Sequence, residues 1–173
     1  MEFWSDDRRF GLKLSERQYN RILRFCVTSG DIETGGILIG FYTLGHNCAV
    51  VTTVTGPPVD SRHAKTWFHR GTKDVQNLLQ DVWNRGRRYY LGEWHFHPGG
   101  NPDPSMTDVN QLKQIADSPH YQCPEPVLLI VGRTRSDKWN TMSYVFPRGK
   151  EFIRMAPITP SRVSRLKQHS KEK

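Results

Sequence analysis

With 173 residues the chain is long enough to close one proper core and too short for two roomy domains; no run approaches ~18 apolar positions, which excludes a membrane-spanning helix. The formal charge of +8 invites a nucleic-acid reading. Yet the tail SRVSRLKQHSKEK alone holds five lysines and arginines against Glu172, and no RRM, finger or helix-turn-helix pattern accompanies it, so nucleic acid is a minor option. Three cysteines, Cys26, Cys48 and Cys123, odd in number and far apart, suit neither a disulfide framework nor a CxxC metal knuckle and point to a reducing, cytoplasmic compartment.

The opening MEFWSDDRRFGLKLS mixes acids, bases and aromatics and does not read as a signal peptide. Within it RRFGLKLS alternates as a short strand, and Ser15 with Gln18 forms a capping-box pattern that starts a helix. Tyr19, Ile22, Leu23 and Cys26 lay one apolar stripe along that helix until Gly30 stops it. TGGILIGFYT and CAVVTTVT, joined by the turn-like LGHN, predict a β-hairpin, and GPPVDSRHAK reads as loop. TWFHR is a candidate strand. A second helix is expected from about Thr72, with Val75, Leu78, Leu79 and Val82 at helical spacing and Gly86 at its end.

RYYLGEWHFH is then a strand, and after the PGGNPDP bend Ser105 is well placed to cap a third helix carrying Val109, Leu112 and Ala116. PVLLIVG and NTMSYVF predict two more strands, with KEFIRM a candidate edge strand. Helices interleaved with hairpins indicate an α/β (α+β) domain, one mixed β-sheet flanked by helices, over residues 1–160, with residues 161–173 a basic, solvated tail.

The chemistry concentrates in LGEWHFHPGGNPDPSMTD. Alternate side chains of a strand share a face, so His95 and His97 converge while Trp94 and Phe96 turn to the buried side. The following helix presents Asp108 as a third donor. Two imidazoles and a carboxylate with an open position suit a catalytic zinc. By spacing alone the pair could equally be two histidines titrating in a polar surface loop. Glu93 shares their face, either as a partner supporting one imidazole or as a plain surface glutamate. His46, His63, His69, His120 and His169 show no ligand spacing and read as solvated or structural, and Cys123 as an ordinary semi-buried thiol.

HxHP, six residues, Ser, two residues, Asp, with a glutamate upstream in ETGGILIG, resembles the JAMM signature of the JAB/MPN-domain metallopeptidases. His95, His97, Pro98, Ser105 and Asp108 occupy its positions without departure, and the order of elements agrees over roughly residues 8 to 155. The resemblance implies a cytidine-deaminase-like fold and a Zn2+ held by His95, His97 and Asp108. It implies Glu33 as general base and Ser105 as the residue that stabilises the oxyanion, against a plain N-cap role for that serine. The HxE and PCxxC motifs of the base deaminases are absent.

The GEWHFHP form and the short length look most like prokaryotic JAB deconjugases of CBASS anti-phage operons. Such a resemblance implies cleavage of the amide made by an E1/E2-like partner between the C-terminus of a cGAS-like nucleotidyltransferase and a target. Precursor processing of a ubiquitin-like or sulfur-carrier protein is the alternative within the class. A non-catalytic MPN scaffold is the alternative outside it, disfavoured by the full ligand set.

Overall fold

Two very short strands at the N-terminus set up a closed architecture that hydropathy does not announce. The computed structural model describes residues 1–158 apart from Arg135 and Asp137, so the basic tail expected from residue 161 lies outside the described residues. β1 (Glu2–Trp4) pairs antiparallel with β2 (Gly11–Leu14), setting the buried Phe3 opposite Leu12. A three-residue strand has too few positions for a period, which is why only β2 was expected.

Helix α1 (Glu16–Ser29) starts where its cap predicts: the Ser15 hydroxyl accepts from the Gln18 backbone N–H at 3.3 Å. Only half of the capping box forms, because the Gln18 side chain donates instead to the Thr52 carbonyl at 2.6 Å. Ile22 and Cys26 are buried, and Gly30 ends the helix at φ 66°. β3 (Thr34–Tyr42) and β4 (Cys48–Val54) form the expected hairpin.

The segment expected as loop and strand folds into a small ribbon of β5 (Arg62–His63) and β6 (Phe68–His69). Helix α2 (Val75–Gly86) starts at Val75 rather than Thr72, because Asp74 takes a left-handed conformation at φ 62° that a helix cannot run through, while the backbone N–H groups of Thr72 and Lys73 before it donate to the Asp60 carboxylate. β7 (Tyr89–His97), α3 (Met106–Asp117), β8 (Val127–Arg133), β9 (Trp139–Val145) and β10 (Ile153–Pro157) complete the described chain.

The main sheet runs β1-β10-β9-β8-β7-β3-β4-β2 and closes on itself, since β1 pairs with both β10 and β2. It is mixed: β2 with β4 and β7 with β8 are parallel, the other pairs antiparallel. The KEFIRM segment is therefore not an edge. Its strand β10 lies between β9 and β1, with Phe3 and Trp4 opposite Pro157 and Ala156.

Apolar clusters cover both faces of the sheet. Trp94, Phe96, Leu38, Leu129 and Val131 pack with Ile22 and Cys26 of α1; Ile37, Ile39, Leu128 and Ile130 pack with Val109, Leu112 and Ile115 of α3. Truncating a core aromatic such as Phe96 to alanine costs typically ~3–5 kcal/mol. Parallel pairing of β7 with β8 needs a crossover, and α3 supplies it. That crossover brings the N-terminus of α3 back over the end of β7, where the histidines lie.

Candidate metal centre

His95 and His97 share one face of β7, as the period of two predicts, with Trp94 and Phe96 in the core behind them. The neighbouring strand makes room: Gly35 pairs with His95, and a Cβ there would lie 2.5 Å from the Trp94 carbonyl oxygen, 2.6 Å from Phe68 Cε1 and 2.9 Å from His95 Cδ2. Phe68 of the ribbon stands edge-on to the His95 ring at 5.3 Å.

Asp108 reaches the site through a full capping box. Ser105 Oγ accepts from the Asp108 N–H at 3.2 Å, while Asp108 Oδ2 accepts from the Ser105 N–H and hydroxyl, both at 2.7 Å. The carboxylate then lies with Oδ1 2.7 Å from His95 Nδ1 and Oδ2 3.7 Å from His97 Nε2. One donor atom each from His95, His97 and Asp108 fall within 4.8 Å of one another.

The far nitrogens of both rings are engaged: His97 Nδ1 lies 3.0 Å from the Asn101 carbonyl, and His95 Nε2 lies 3.1 Å from Glu93 Oε2. A ring whose far nitrogen is held as a donor binds an ion through its near nitrogen once that nitrogen is bare, so the donor chemistry fits a metal ion that displaces the proton His95 shares with Asp108. Two imidazoles and one carboxylate form the set, with no fourth protein donor grouped with them among the described residues, as in a catalytic site that keeps a position open.

Glu33 lies just before β3, whose Thr34 pairs with Phe96, so the register carries it toward His97. The ribbon pins its backbone: the Glu33 N–H donates to the Ala64 carbonyl at 2.9 Å, and His63 Nδ1 donates to the Glu33 carbonyl at 3.0 Å. His63, expected to be solvated or structural, is thus a structural contact beside the site, while His46 stacks on Tyr42 and His169 lies outside the described residues.

Charge is tightly coupled here. Burial, then the nearby Asp108 carboxylate, pushes the Glu33 carboxyl up to about 7. Burial works against the His95 cation, but hydrogen bonds to Asp108 and Glu93 outweigh it and raise that imidazole to about 9. Burial also opposes the Asp108 charge, and donation from His95 and Ser105 overrides it, holding the carboxyl well below the usual range. His97 is lowered, chiefly by burial.

Of the two readings of Glu93, the surface one is wrong. Its carboxylate is fully buried and bonds His95, Arg70, Tyr90 and Gln111. The shared strand face was the one signal for it in the sequence; nothing there signals Arg70. Cys123 is more buried than expected, and burial pushes its thiol up to about 12.

The mixed sheet, the crossover helix and the His-His-Asp cluster with a carboxyl poised beside it define a hydrolase of metallopeptidase type. The model of the prokaryotic homologs of the JAB domain matches residues 15–145, and the chain belongs to that family. It is 37% identical over 156 residues, 90% of this chain and 86% of the other, to a CD-NTase/cGAS isopeptidase of Enterobacter hormaechei subsp. hoffmannii (strain UCI 50). It is 29% identical over 104 residues, 58% of this chain and 63% of the other, to the probable metalloprotease y4qB of Sinorhizobium fredii. The fold is similar to the solution structure of protein DSY2949 from Desulfitobacterium hafniense, at a TM-score of 0.65 and 18% identity, over 85% of this chain and 91% of that one.

Proposed function

We propose that this protein is a zinc-dependent isopeptidase that removes a cGAS-like nucleotidyltransferase, joined through its C-terminus, from its targets. The observation that carries this is the convergence of His95, His97 and Asp108 within 4.8 Å beside the perturbed Glu33 carboxyl. The 37% identity to a CD-NTase/cGAS isopeptidase supports the substrate class. An E1/E2-like enzyme making the conjugate in the same cytoplasmic pathway follows from that reading. No helix among the described residues is long and apolar enough to cross a membrane.

His95 Nδ1, His97 Nε2 and the Asp108 carboxylate are the atoms that would hold the ion. When bound, such an ion supplies a hydrolytic nucleophile near neutral pH and polarises the scissile carbonyl. Glu33 takes the proton of the attacking water and delivers it to the leaving amine, work suited to a carboxyl poised near the operating pH. Ser105 combines its two readings. Its oxygen accepts from the Asp108 N–H as the helix cap, which leaves its O–H proton to be turned from Asp108 toward the oxyanion.

The test is metal analysis of the purified protein, followed by cleavage of a purified conjugate by wild type and Glu33→Ala. One bound zinc per chain and a near-complete loss of cleavage in the variant, with zinc retained, are expected. Absence of any divalent ion, or a variant as fast as wild type, would sink the reading. Cleavage of a linear fusion but not of the isopeptide-linked conjugate would favour precursor processing.

A further inference from the structure

The face of β7 that carries the histidines also carries a buried ion pair. Arg70 Nε donates to Glu93 Oε1 at 2.6 Å, and the two side chains are 3% and 0% exposed. Tyr90 donates its hydroxyl to the same oxygen at 3.1 Å, and Gln111 of α3 donates to Oε2 at 2.8 Å. With His95 Nε2 at 3.1 Å from Oε2, each carboxylate oxygen faces two donors. Such a group has nothing to give His95 and can only accept, so it keeps a proton on Nε2 and leaves Nδ1, which donates to Asp108 Oδ1 at 2.7 Å in the metal-free protein, as the nitrogen that would exchange its proton for an ion.

Arg70 is fixed in turn. Its remaining nitrogens donate to the Gly71 carbonyl and the Tyr121 hydroxyl, both at 2.9 Å. Tyr90 joins the cluster through a bulge. The β3–β7 register passes from Leu38 opposite Gly92 to Ile39 opposite Tyr90, and the extra residue turns Tyr90 onto the face of Glu93. Gly92 permits this at φ +147°, where a Cβ would sit 1.9 Å from the Val127 carbonyl oxygen.

We infer that Glu93 and Arg70 are positioning residues of the metal site: they hold the His95 ring so that Nδ1 meets the ion, while His97 meets it through Nε2. The inference rests on the metal reading above. A buried charge pair of this kind is expensive to maintain in a core that hydrophobic side chains could fill. Its placement directly behind a ligand accounts for it.

The decisive variant is Glu93→Gln. Arg70 and Tyr90 keep the amide oxygen on their side, so the amide nitrogen faces His95 and Gln111, which turns its own amide to present its oxygen. A donor there draws the ring proton from Nε2 to Nδ1, the atom that must be bare, at nearly constant shape. Long-range proton–nitrogen spectra of 15N-histidine-labelled, zinc-titrated wild type should show His95 bound through Nδ1 with its proton on Nε2, and His97 the reverse. In Glu93→Gln, zinc affinity by chelator competition should fall about 10–100-fold. Its metal-free melting temperature should fall, since Arg70 keeps a buried charge without a carboxylate partner, so affinities are compared at a temperature where both proteins are folded, and kcat should fall with KM unchanged.

Zinc on His95 Nε2 in wild type, or wild-type affinity and spectrum in the variant, overturns the inference while leaving the metal reading intact. Wild type that binds no zinc overturns both. Should Glu93→Gln fail to fold, Arg70→Lys decides. It keeps a cation but cannot span Glu93 and Tyr121, so several-fold weaker zinc binding supports the inference and unchanged binding overturns it.

Discussion

Replacing Glu33 by glutamine should make the metal-free protein more stable at pH 8 and leave it almost unchanged at pH 5. Burial and the Asp108 charge raise the Glu33 carboxyl from 4.5 to about 7. A raised folded-state value favours the protonated form, so the contribution of Glu33 to stability is fully present below about 4.5 and is lost as pH rises through 7. Taken at face value the shift is worth about 3 kcal/mol at 1.36 per unit, and screening on the open side of Glu33 reduces this to about 1–2 kcal/mol. For a chain of this size that is roughly 3–6 °C in melting temperature. Calorimetry of wild type and Glu33→Gln in a chelating buffer at both pH values reads the difference directly. A gap of the same size at pH 5 and 8, or a wild type more stable than the variant at pH 8, would refute the idea that this carboxyl is held at a cost to the fold.

Asp108→Ala should lose zinc, because two imidazoles remain, whereas Ser105→Ala should keep zinc and slow turnover by ~10²–10³, the usual effect of losing one oxyanion donor. Loss of the N-cap should add about 1 kcal/mol of destabilisation to that variant, and equal zinc loss in both would contradict the division of roles. Zinc affinity should climb about tenfold per pH unit between pH 7 and 9, since His95, raised to about 9, must shed a proton to ligate; a flat dependence by chelator competition would be inconsistent with this. Gly35→Ala should lower the urea midpoint by the equivalent of ~1–3 kcal/mol or more and weaken zinc binding. The added methyl meets the Trp94 carbonyl oxygen at 2.5 Å, Phe68 at 2.6 Å and His95 at 2.9 Å, and a variant with wild-type stability and affinity would show that the strand yields easily.

Much of the site follows from local rules that act along the chain. The period of two puts His95 and His97 on one face, the serine cap starts α3 at Met106, and the capping box turns Asp108 back toward Ser105. The helices with clear stripes, α1 and α3, begin where their caps predict for the same reason: cap, stripe and stop are each set by residues a few positions apart. Where long-range packing sets the backbone, local reading fails, as when the chain is held to Asp60 through the amides of Thr72 and Lys73 and α2 starts only after the left-handed Asp74. The same holds for β10, which ceases to be an edge only because β1 closes the sheet against it.

The state of Glu93 is the clearest case. Its carboxylate could be exposed or buried as far as the strand pattern is concerned. Arg70, from the segment after the ribbon, Tyr121, beyond α3, and Gln111, on α3, become its neighbours or its neighbours' partners only through the closed sheet and its crossover. A buried charge is tolerated only where donors surround it. Those donors are 18 and 23 residues from Glu93 in sequence for Gln111 and Arg70, a separation at which no periodicity carries information. Which residues could come together to hold an ion was therefore legible in the sequence, while the rings' orientation, hence the atoms they present, and the charge behind them were decided by tertiary packing.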